Sequence, residues 1–153
     1  MKQQINEGIK ATGLVNIVHK NKLGEVLNTF EVPNLVVTSG KNYIAGKMVA
    51  EASDVPVHMS HMAIGTDTTS ADVAQTSLLS QAGTRVLLSG NSVTNNAITY
   101  TATFAAGNAT GAITEAGIFN ASTGGTMLCR TTFPVVNKQA CDTIAITWVV
   151  TVS

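Results

Sequence analysis

The chain has few charged residues and few aromatic residues. Of its 153 residues, Asp, Glu, Lys and Arg make up 12% and Phe, Trp and Tyr 5%, while hydrophobic residues reach 44%. The charged share is about half of the usual one. A sequence that replaces charge with Thr and Val favours β-structure with neutral outer faces, which suits a subunit packed against other subunits.

Neither sign of charge is in excess. Nine basic and nine acidic side chains give a formal net charge of zero. A chain without an overall basic field is a poor ligand for a phosphate backbone, so we expect no nucleic-acid partner.

The sequence also lacks long apolar runs. No stretch approaches the ~18 consecutive apolar residues of a membrane-spanning helix, and the start, "MKQQINEGIK", has no apolar core of a signal peptide. We therefore expect no membrane partner and synthesis in a cytoplasm. The two cysteines, Cys129 and Cys141, are expected to be free buried thiols, with a disulfide between them as the alternative.

Short β-like segments separated by turns fill most of the chain. Strict alternation in "AITYTATF" and "TIAITWVVTV" places apolar residues on one face and mostly Thr on the other. We predict a mainly β fold, an antiparallel β-sandwich or jelly-roll-like single domain over residues 13–153, preceded by an N-terminal arm, 1–12. The aromatic residues expected in its core are Tyr100, Phe104, Phe119, Phe133 and Trp148.

Local signals predict where some elements begin and end. Residues 13–19 and 26–32 read as a hairpin, and apolar residues at three- and four-residue spacing predict one short helix at about 39–52. Pro33 and Pro134 are expected to end the strands that precede them, because proline cannot donate to a ladder.

Residue sets typical of catalysis or metal binding are not recognisable in the sequence. His58 and His61 fall in a predicted strand, where residues three apart point to opposite faces and cannot readily bind one metal. Asp67 and Asp72 are interpreted as turn or cap residues, since the spacing of a calcium loop is missing. We also find neither a G-x-S-x-G nucleophile segment nor a phosphate-binding glycine loop. We therefore expect no enzyme activity, no metal and no cofactor.

Glu115 is the single charged residue of the apolar segment "ATGAITEAGIFN". A carboxylate buried without a partner is strongly destabilising, so a buried one should be paired. Arg85 and Arg130 both lie in strand-like runs, and a guanidinium matches a carboxylate well. We predict a structural ion pair of Glu115 with Arg85 or Arg130. A site at a subunit contact and a catalytic role are the alternatives.

Three segments resemble small structural proteins of tailed bacteriophages. They are "VPNLVVTSGKNYIA", "SHMAIGTDTTSADVAQTSLLSQAGTRV" and "ITYTATFAAGNATGAITEAGIFNASTGGTMLCRTTFPVVNK". With the alternating C-terminal strand, the resemblance extends over about residues 33–153. Two positions depart from that set: Asp67 replaces a glycine, and residues 81–82 (Gln-Ala) replace an acidic residue ahead of Arg85. The missing acid makes Glu115 a better candidate partner for Arg85.

The resemblance implies a component of the virion. A capsid decoration (cement) protein would be a sandwich or jelly-roll subunit, dimeric or trimeric, that binds the major capsid protein on the outer capsid surface and bridges capsomers. A tail-associated protein of the collar, fibre or baseplate, with a structural or receptor- or glycan-binding role, is the alternative. The short single domain without fibrous repeats or heptads favours the decoration protein.

Overall fold

A computed structural model describes residues 8–48 and 57–153. Within these residues the chain forms nine strands and one helix. The elements are β1 (Ala11–Lys20), β2 (Val26–Val36), α1 (Thr38–Gly46), β3 (His61–Gly65), β4 (Gln81–Leu87), β5 (Gly90–Thr94), β6 (Ala97–Phe104), β7 (Gly111–Phe119), β8 (Met127–Lys138) and β9 (Thr143–Val152).

The nine strands form one antiparallel sheet in the order β4-β3-β7-β8-β2-β1-β9-β6-β5. Strand β2 joins its two halves, because it pairs with β1 up to Asn34 and with β8 only at Leu35 and Val36. The sheet curls into a half-barrel. The expected mainly β fold with one short helix is confirmed, whereas the sandwich or jelly roll remains a prediction, since all strands belong to one continuous sheet.

The main core lies on the concave side of this sheet and takes residues from both halves. On β9 the predicted alternation holds, and Ile144, Ile146, Trp148 and Val150 are all buried. The other core aromatics differ in depth. Phe104 and Phe133 are buried in the same cluster, Tyr100 is half-buried at its margin, and Phe119 belongs to a second cluster on the other face of the sheet.

The prediction that Pro33 ends its strand is wrong, because β2 continues to Val36. The Thr131 hydroxyl of β8 donates to the Pro33 carbonyl. An extended residue directs its N–H and C=O to the same side, so the donor that Pro33 lacks would have faced β8. The ladder between β2 and β8 is confined to Leu35 and Val36, and no ladder bond is lost.

The prediction that Pro134 ends its strand is also wrong, since β8 runs on to Lys138. The register of β8 against β7 jumps from Thr132, opposite Glu115, to Val136, opposite Ile113. Pro134 therefore lies in a bulge, where residues 133–135 have no ladder partner on β7. A bulge is one of the few places inside a sheet that accept proline.

The helix is shorter than the predicted span of about 39–52 within the described residues. It ends at Gly46, and residues 49–52 lie outside the described part of the chain. A Cβ on Gly40 would collide with the Leu128 carbonyl of β8, so glycine at this position allows close packing of the helix on the sheet. In the described residues we find no helix long and apolar enough to cross a membrane.

The predicted N-terminal arm is only partly covered. Residues 1–7 lie outside the described part, and Ala11 and Thr12, which we assigned to the arm, already belong to β1. There they pair with Val152 and Thr151 of β9. The remainder of the arm stays a prediction.

Replacing Trp148 by Ala should destabilise the fold, because this side chain is completely buried between the two halves of the sheet. We expect a loss of about 3–5 kcal/mol in the free energy of unfolding, measured by urea denaturation. Val26→Ala is the control, since Val26 is 58% exposed and its truncation leaves no cavity. Equal losses in the two variants would contradict the described core.

Candidate functional site

A buried ion pair lies on the convex face of the sheet, opposite the main core. On β7, Ala116 and Ile118 point into the main core. Glu115 and Gly117 alternate with them and point the other way. Glu115 pairs with Thr132 of β8, and Gly117 pairs with Arg130, so the Glu115 and Arg130 side chains are diagonal neighbours on one face.

Both members of the pair are completely removed from solvent. The Nε of Arg130 donates to Oε2 of Glu115 at 2.9 Å, and Nη2 lies 2.8 Å from the same oxygen. The two nitrogens share one carboxylate oxygen, so Nη2 makes a close ionic contact rather than a second well-directed hydrogen bond. The other oxygen, Oε1, is left to accept from elsewhere.

The remaining acceptor capacity of Glu115 is filled by backbone N–H groups of the loop that joins β3 to β4, residues 66–80 (the β3–β4 loop). Ser80 N donates to Oε1 at 2.8 Å, Leu79 N donates to Oε2 at 3.2 Å, and Asp67 N approaches Oε1 at 3.4 Å. One carboxylate therefore holds both ends of this loop against the sheet.

Arg130 binds the middle of the same loop. Its Nη1 donates to the Thr69 carbonyl at 2.9 Å and to Oε1 of Gln75 at 3.0 Å, and its Nη2 lies 3.7 Å from Oδ1 of Asp67. Hydrogen bonds from Thr69 lower the pKa of the Asp67 carboxyl, and the charge of Arg130 adds to the effect. Asp67 is thus an anion beside the pair as well as a turn residue.

Apolar contacts and further hydrogen bonds complete the attachment of the loop. Leu78 is the one buried side chain among loop residues 66–80, and it packs with Ala63, Phe119 and Met127 in the second apolar cluster. The Thr114 hydroxyl donates to the Asp67 carbonyl, and Thr38 N donates to the Val73 carbonyl. Residues 74–80 of the loop form no helix, and residues 81–82 already belong to β4.

Gly65 makes room for the carboxylate. It pairs with Glu115 across β3 and β7, and a Cβ at this position would collide with Oε1 of Glu115 and with the Ser80 carbonyl. Any larger residue would have to displace either the carboxylate or the end of the loop. The "AIG" ending of β3 is therefore part of the site, although nothing in the sequence marked it as such.

Of the two arginines predicted to pair with Glu115, the structure brings Arg130 to the carboxylate and places Arg85 elsewhere. Arg85 stacks on the Phe119 ring, 3.5 Å from its centroid, and donates to the Ala121 and Gly124 carbonyls. Its Nε donates to Gln81, the residue that stands in place of an acid. Burial lowers the pKa of Arg85.

A second polar group, which sequence reasoning missed, lies at the turn between β8 and β9. His19 Nε2 is 2.9 Å from Oδ2 of Asp142, and Asn28 donates to His19 Nδ1 at 3.1 Å. Both ring nitrogens of His19 are hydrogen-bonded when Nε2 carries the proton, because Nε2 then donates to Asp142 and Nδ1 accepts from Asn28. Lys138 lies buried in the same region of the chain. It donates to the Ala105 carbonyl, and desolvation lowers the pKa of its ammonium. Asp142, the acidic residue of the turn segment "KQACDT", was the sequence feature that could have indicated this network.

The histidines and cysteines do not assemble into a metal site. His61 contacts the Ser60 hydroxyl, and the described residues contain no group of three or more His, Cys, Asp or Glu side chains placed to hold an ion. Both cysteines are free. Cys129 is buried, as expected, but Cys141 is exposed in the β8–β9 turn, which corrects the expectation of two buried thiols.

Comparisons of this chain with protein-family models, with curated proteins and with solved structures find no match. The carboxylate of Glu115 is surrounded by donors and shielded from solvent, and the guanidinium of Arg130 is bonded to the loop. This arrangement fixes the shape of the β3–β4 loop, most of whose other residues are exposed.

Glu115→Gln should destabilise the protein, because it removes the close, fully buried counter-charge of Arg130 and leaves only the more distant and partly exposed carboxylate of Asp67. We expect a loss of about 3–5 kcal/mol in the free energy of unfolding. Hydrogen exchange should also show faster exchange of the amides of Leu79 and Ser80, which donate to Glu115. The control is Glu25→Gln at an exposed glutamate. Unchanged stability together with unchanged exchange would exclude the structural role of the pair.

Asp142→Asn should reduce stability at neutral pH and less so in acid. The N–H of Gln139 and the His19 ring donate to the Asp142 carboxylate and lower its pKa. A carboxyl group with a lowered folded-state pKa stabilises the fold above its unfolded pKa of about 3.9, and this contribution is lost as the pH falls through the folded value. The difference between wild type and variant in urea denaturation should therefore shrink on acidification. A difference in the free energy of unfolding that stays constant with pH would contradict the predicted role of the Asp142 carboxylate.

Proposed function

We propose that this protein is a non-enzymatic structural subunit of a tailed-phage virion, a capsid decoration protein. It would be made in the host cytoplasm, bind the major capsid protein on the outer capsid surface as a homo-oligomer, and hold neighbouring capsomers together. The observation that carries the proposal is the exposed β3–β4 loop, fixed to the sheet by the buried Glu115–Arg130 pair.

A fixed loop is a favourable docking surface. Ordering a flexible segment on binding costs free energy, and a segment that is already ordered avoids that cost. The loop presents Thr, Ser and Ala residues to solvent, together with the partly exposed Val73 and Leu79. This composition, apolar and neutral-polar with few charges, fits a protein surface better than a charged ligand.

The segments that resemble phage structural proteins are those that build this site. "HMAIGTDTTSADVAQTSLLS" contains Gly65 and the whole loop, and "ITEAGIFN" contains Glu115. Arg130 lies in the third element of the same site, the β8 segment "MLCRTTF". The resemblance and the ion pair thus support the same proposal. Proteins that use this loop in one fixed shape would need Gly65, Glu115 and Arg130 together, since these residues hold the loop against the sheet.

The proposed mechanism is additive burial. An interface of standard size removes roughly 800 Å² of surface on each partner. Repeated at every position of the capsid lattice, such interfaces raise the free energy needed to separate capsomers, and no bond needs to be made or broken. A subunit with zero formal net charge can be placed at high density without mutual electrostatic repulsion.

We also propose that the fold works as a sandwich. The main core contains side chains of β3, β7 and β8 from one half and of β1, β6 and β9 from the other. Two halves that share one core resemble the facing layers of a sandwich, with β2 as the strand they have in common.

A tail-associated role in the collar, fibre or baseplate is the second candidate, supported by the resemblance of "ITEAGIFN" to strands of such proteins.

The test is a pair of matched variants added to capsids assembled without the protein. Thr76→Arg places a charge on the exposed β3–β4 loop, and Thr103→Arg places the same charge on the exposed side of β6. Wild type and Thr103→Arg should bind the capsids and raise the temperature at which they break, whereas Thr76→Arg should bind at least tenfold more weakly. Binding is measured by co-sedimentation and capsid breakage by calorimetry.

Electron microscopy of the complete virion separates the two candidates. Density distributed over the shell supports a decoration protein, and density restricted to the tail supports the second candidate instead. Failure of the wild-type protein to bind capsids, together with its absence from the shell, would contradict the decoration role. Equal binding by the two arginine variants would contradict the docking role of the loop.

A further inference from the structure

The described sheet has three places where strands lack a neighbour on one side. They are the outer side of β4, the outer side of β5, and the gap between β2 and β8 beyond their two paired positions. An open edge carries unpaired N–H and C=O groups and can pair with another chain. Natural proteins usually block such edges with charges, prolines, bulges or covering groups.

The edge of β4 is blocked by a side chain. Oδ1 of Asn108 accepts from Thr84 N at 3.1 Å, and Nδ2 of Asn108 donates to the Thr84 carbonyl at 3.2 Å. The amide of Asn108 thus occupies both backbone groups that a neighbouring strand would use. Gly83, with a φ of 62°, bends the strand at the same point, and Arg85 adds a charge.

The gap between β2 and β8 is blocked as well. Pro33 removes a donor on the β2 side, and the Thr131 hydroxyl occupies the Pro33 carbonyl. Pro134 and its bulge interrupt the facing side of β8. Glu31 adds an exposed charge on β2.

The edge of β5 carries none of these features. All five of its residues, Gly90–Thr94, are exposed, including Val93 at 70%. The sequence contains neither a charged residue nor a proline from residue 86 to residue 114. This edge is thus unprotected in a sheet whose other described edges are blocked.

We propose that β5 pairs antiparallel with β5 of a second copy of this chain, centred on Ser92. Thr94 and Ala97 close a two-residue turn and face each other in the ladder. Because pairing alternates along a strand, Thr94, Ser92 and Gly90 direct their backbone groups to β6, and Asn91 and Val93 direct theirs outward. With Ser92 at the twofold axis, Asn91 of each copy faces Val93 of the other.

The geometry of the edge favours a second copy over a different chain. A twofold axis through Ser92 engages the outward N–H and C=O groups of Asn91 and Val93 in both copies, which is the self-complementary arrangement of a symmetric dimer. Two charge-free edges also approach without repulsion, and the edge offers no charge with which to select a foreign peptide. The Val93 side chains, highly exposed in one copy, would be partly covered by the partner.

The pairing should be weak in dilute solution. A strand of five residues buries far less than the roughly 1,200–2,000 Å² of a stable interface. We therefore expect a monomer–dimer equilibrium that moves toward the dimer at high protein concentration, such as the local concentration on a surface where many copies are bound.

Cysteine cross-linking tests the register directly in the purified full-length protein. In a Cys141→Ser background, Ser92→Cys should form a disulfide-linked dimer under mild oxidation, since facing residues at a non-hydrogen-bonded position have Cα atoms about 4.5 Å apart. Thr94→Cys is the matched control. In the proposed register the two Thr94 positions are about 13 Å apart, too far for a disulfide.

A second measurement follows association without a cross-link. Light scattering over a range of concentrations should show a rising mass for the wild type. Val93→Lys places a charge on each copy at the pairing edge and should lower the association constant at least tenfold. Val135→Lys makes the same substitution at an exposed valine on β8 and should associate like the wild type.

Several outcomes would overturn the proposal: no cross-linking of Ser92→Cys at high concentration, equal cross-linking of Thr94→Cys, or unchanged association of Val93→Lys. The thermal unfolding temperature of each variant is compared with that of the wild type. Equal temperatures show that a variant that does not dimerise is still folded. These measurements use no capsids, so they do not depend on the decoration role. A dimer that never binds capsids contradicts that role alone.

Discussion

The attachment of the β3–β4 loop depends on the ion pair between Glu115 and Arg130. Two charges withdrawn from water lose the hydrogen bonds of their hydration shell, so each needs new partners inside the protein. Here the loop supplies the missing partners, with N–H groups for the carboxylate and oxygens for the guanidinium. The loop needs the pair to stay attached, and the pair depends on the loop for most of its hydrogen bonds. Nη2 of Arg130 makes ionic contacts with Glu115 and Asp67 but no well-directed hydrogen bond.

The convex face of the sheet also carries both arginines of the chain, Arg85 and Arg130. Arg85 covers the Phe119 ring beside the loop, while Arg130 lies beneath it. The concave face, by contrast, is filled with apolar side chains from both halves of the sheet. The exposed positions of the strands are mostly uncharged: they carry Thr, Ser and Asn together with apolar side chains such as Leu14, Leu87 and Val93, and such residues do not require a charged partner. Such a surface is compatible with contacts to other subunits, in agreement with the proposed role in an assembly.

Predictions from local pattern succeeded where one residue and its neighbours decide the outcome. The alternation of β9 located its strand and its buried face, because a period of two is a property of the backbone itself. The prolines misled the same reasoning. Whether Pro33 or Pro134 ends a strand depends on whether a neighbouring strand needs its N–H, and that depends on the pairing of β2, β7 and β8. Contacts with β8 also decide the start of α1, where the Ser39 hydroxyl donates to the Met127 carbonyl and no side chain caps the helix.

By itself, the sequence determined that the chain is mainly β and that Glu115, a lone carboxylate in an apolar strand, needs a cationic partner. The tertiary structure decided which arginine that partner is. Arg130 reaches Glu115 because the register of β7 against β8 makes them diagonal neighbours, whereas Arg85 sits on β4, on the far side of β3 from β7. It also decided that Gly65 and the N–H groups of Leu79 and Ser80 complete the site. Register and loop path arise from contacts between distant segments, and no local pattern in the sequence encodes them.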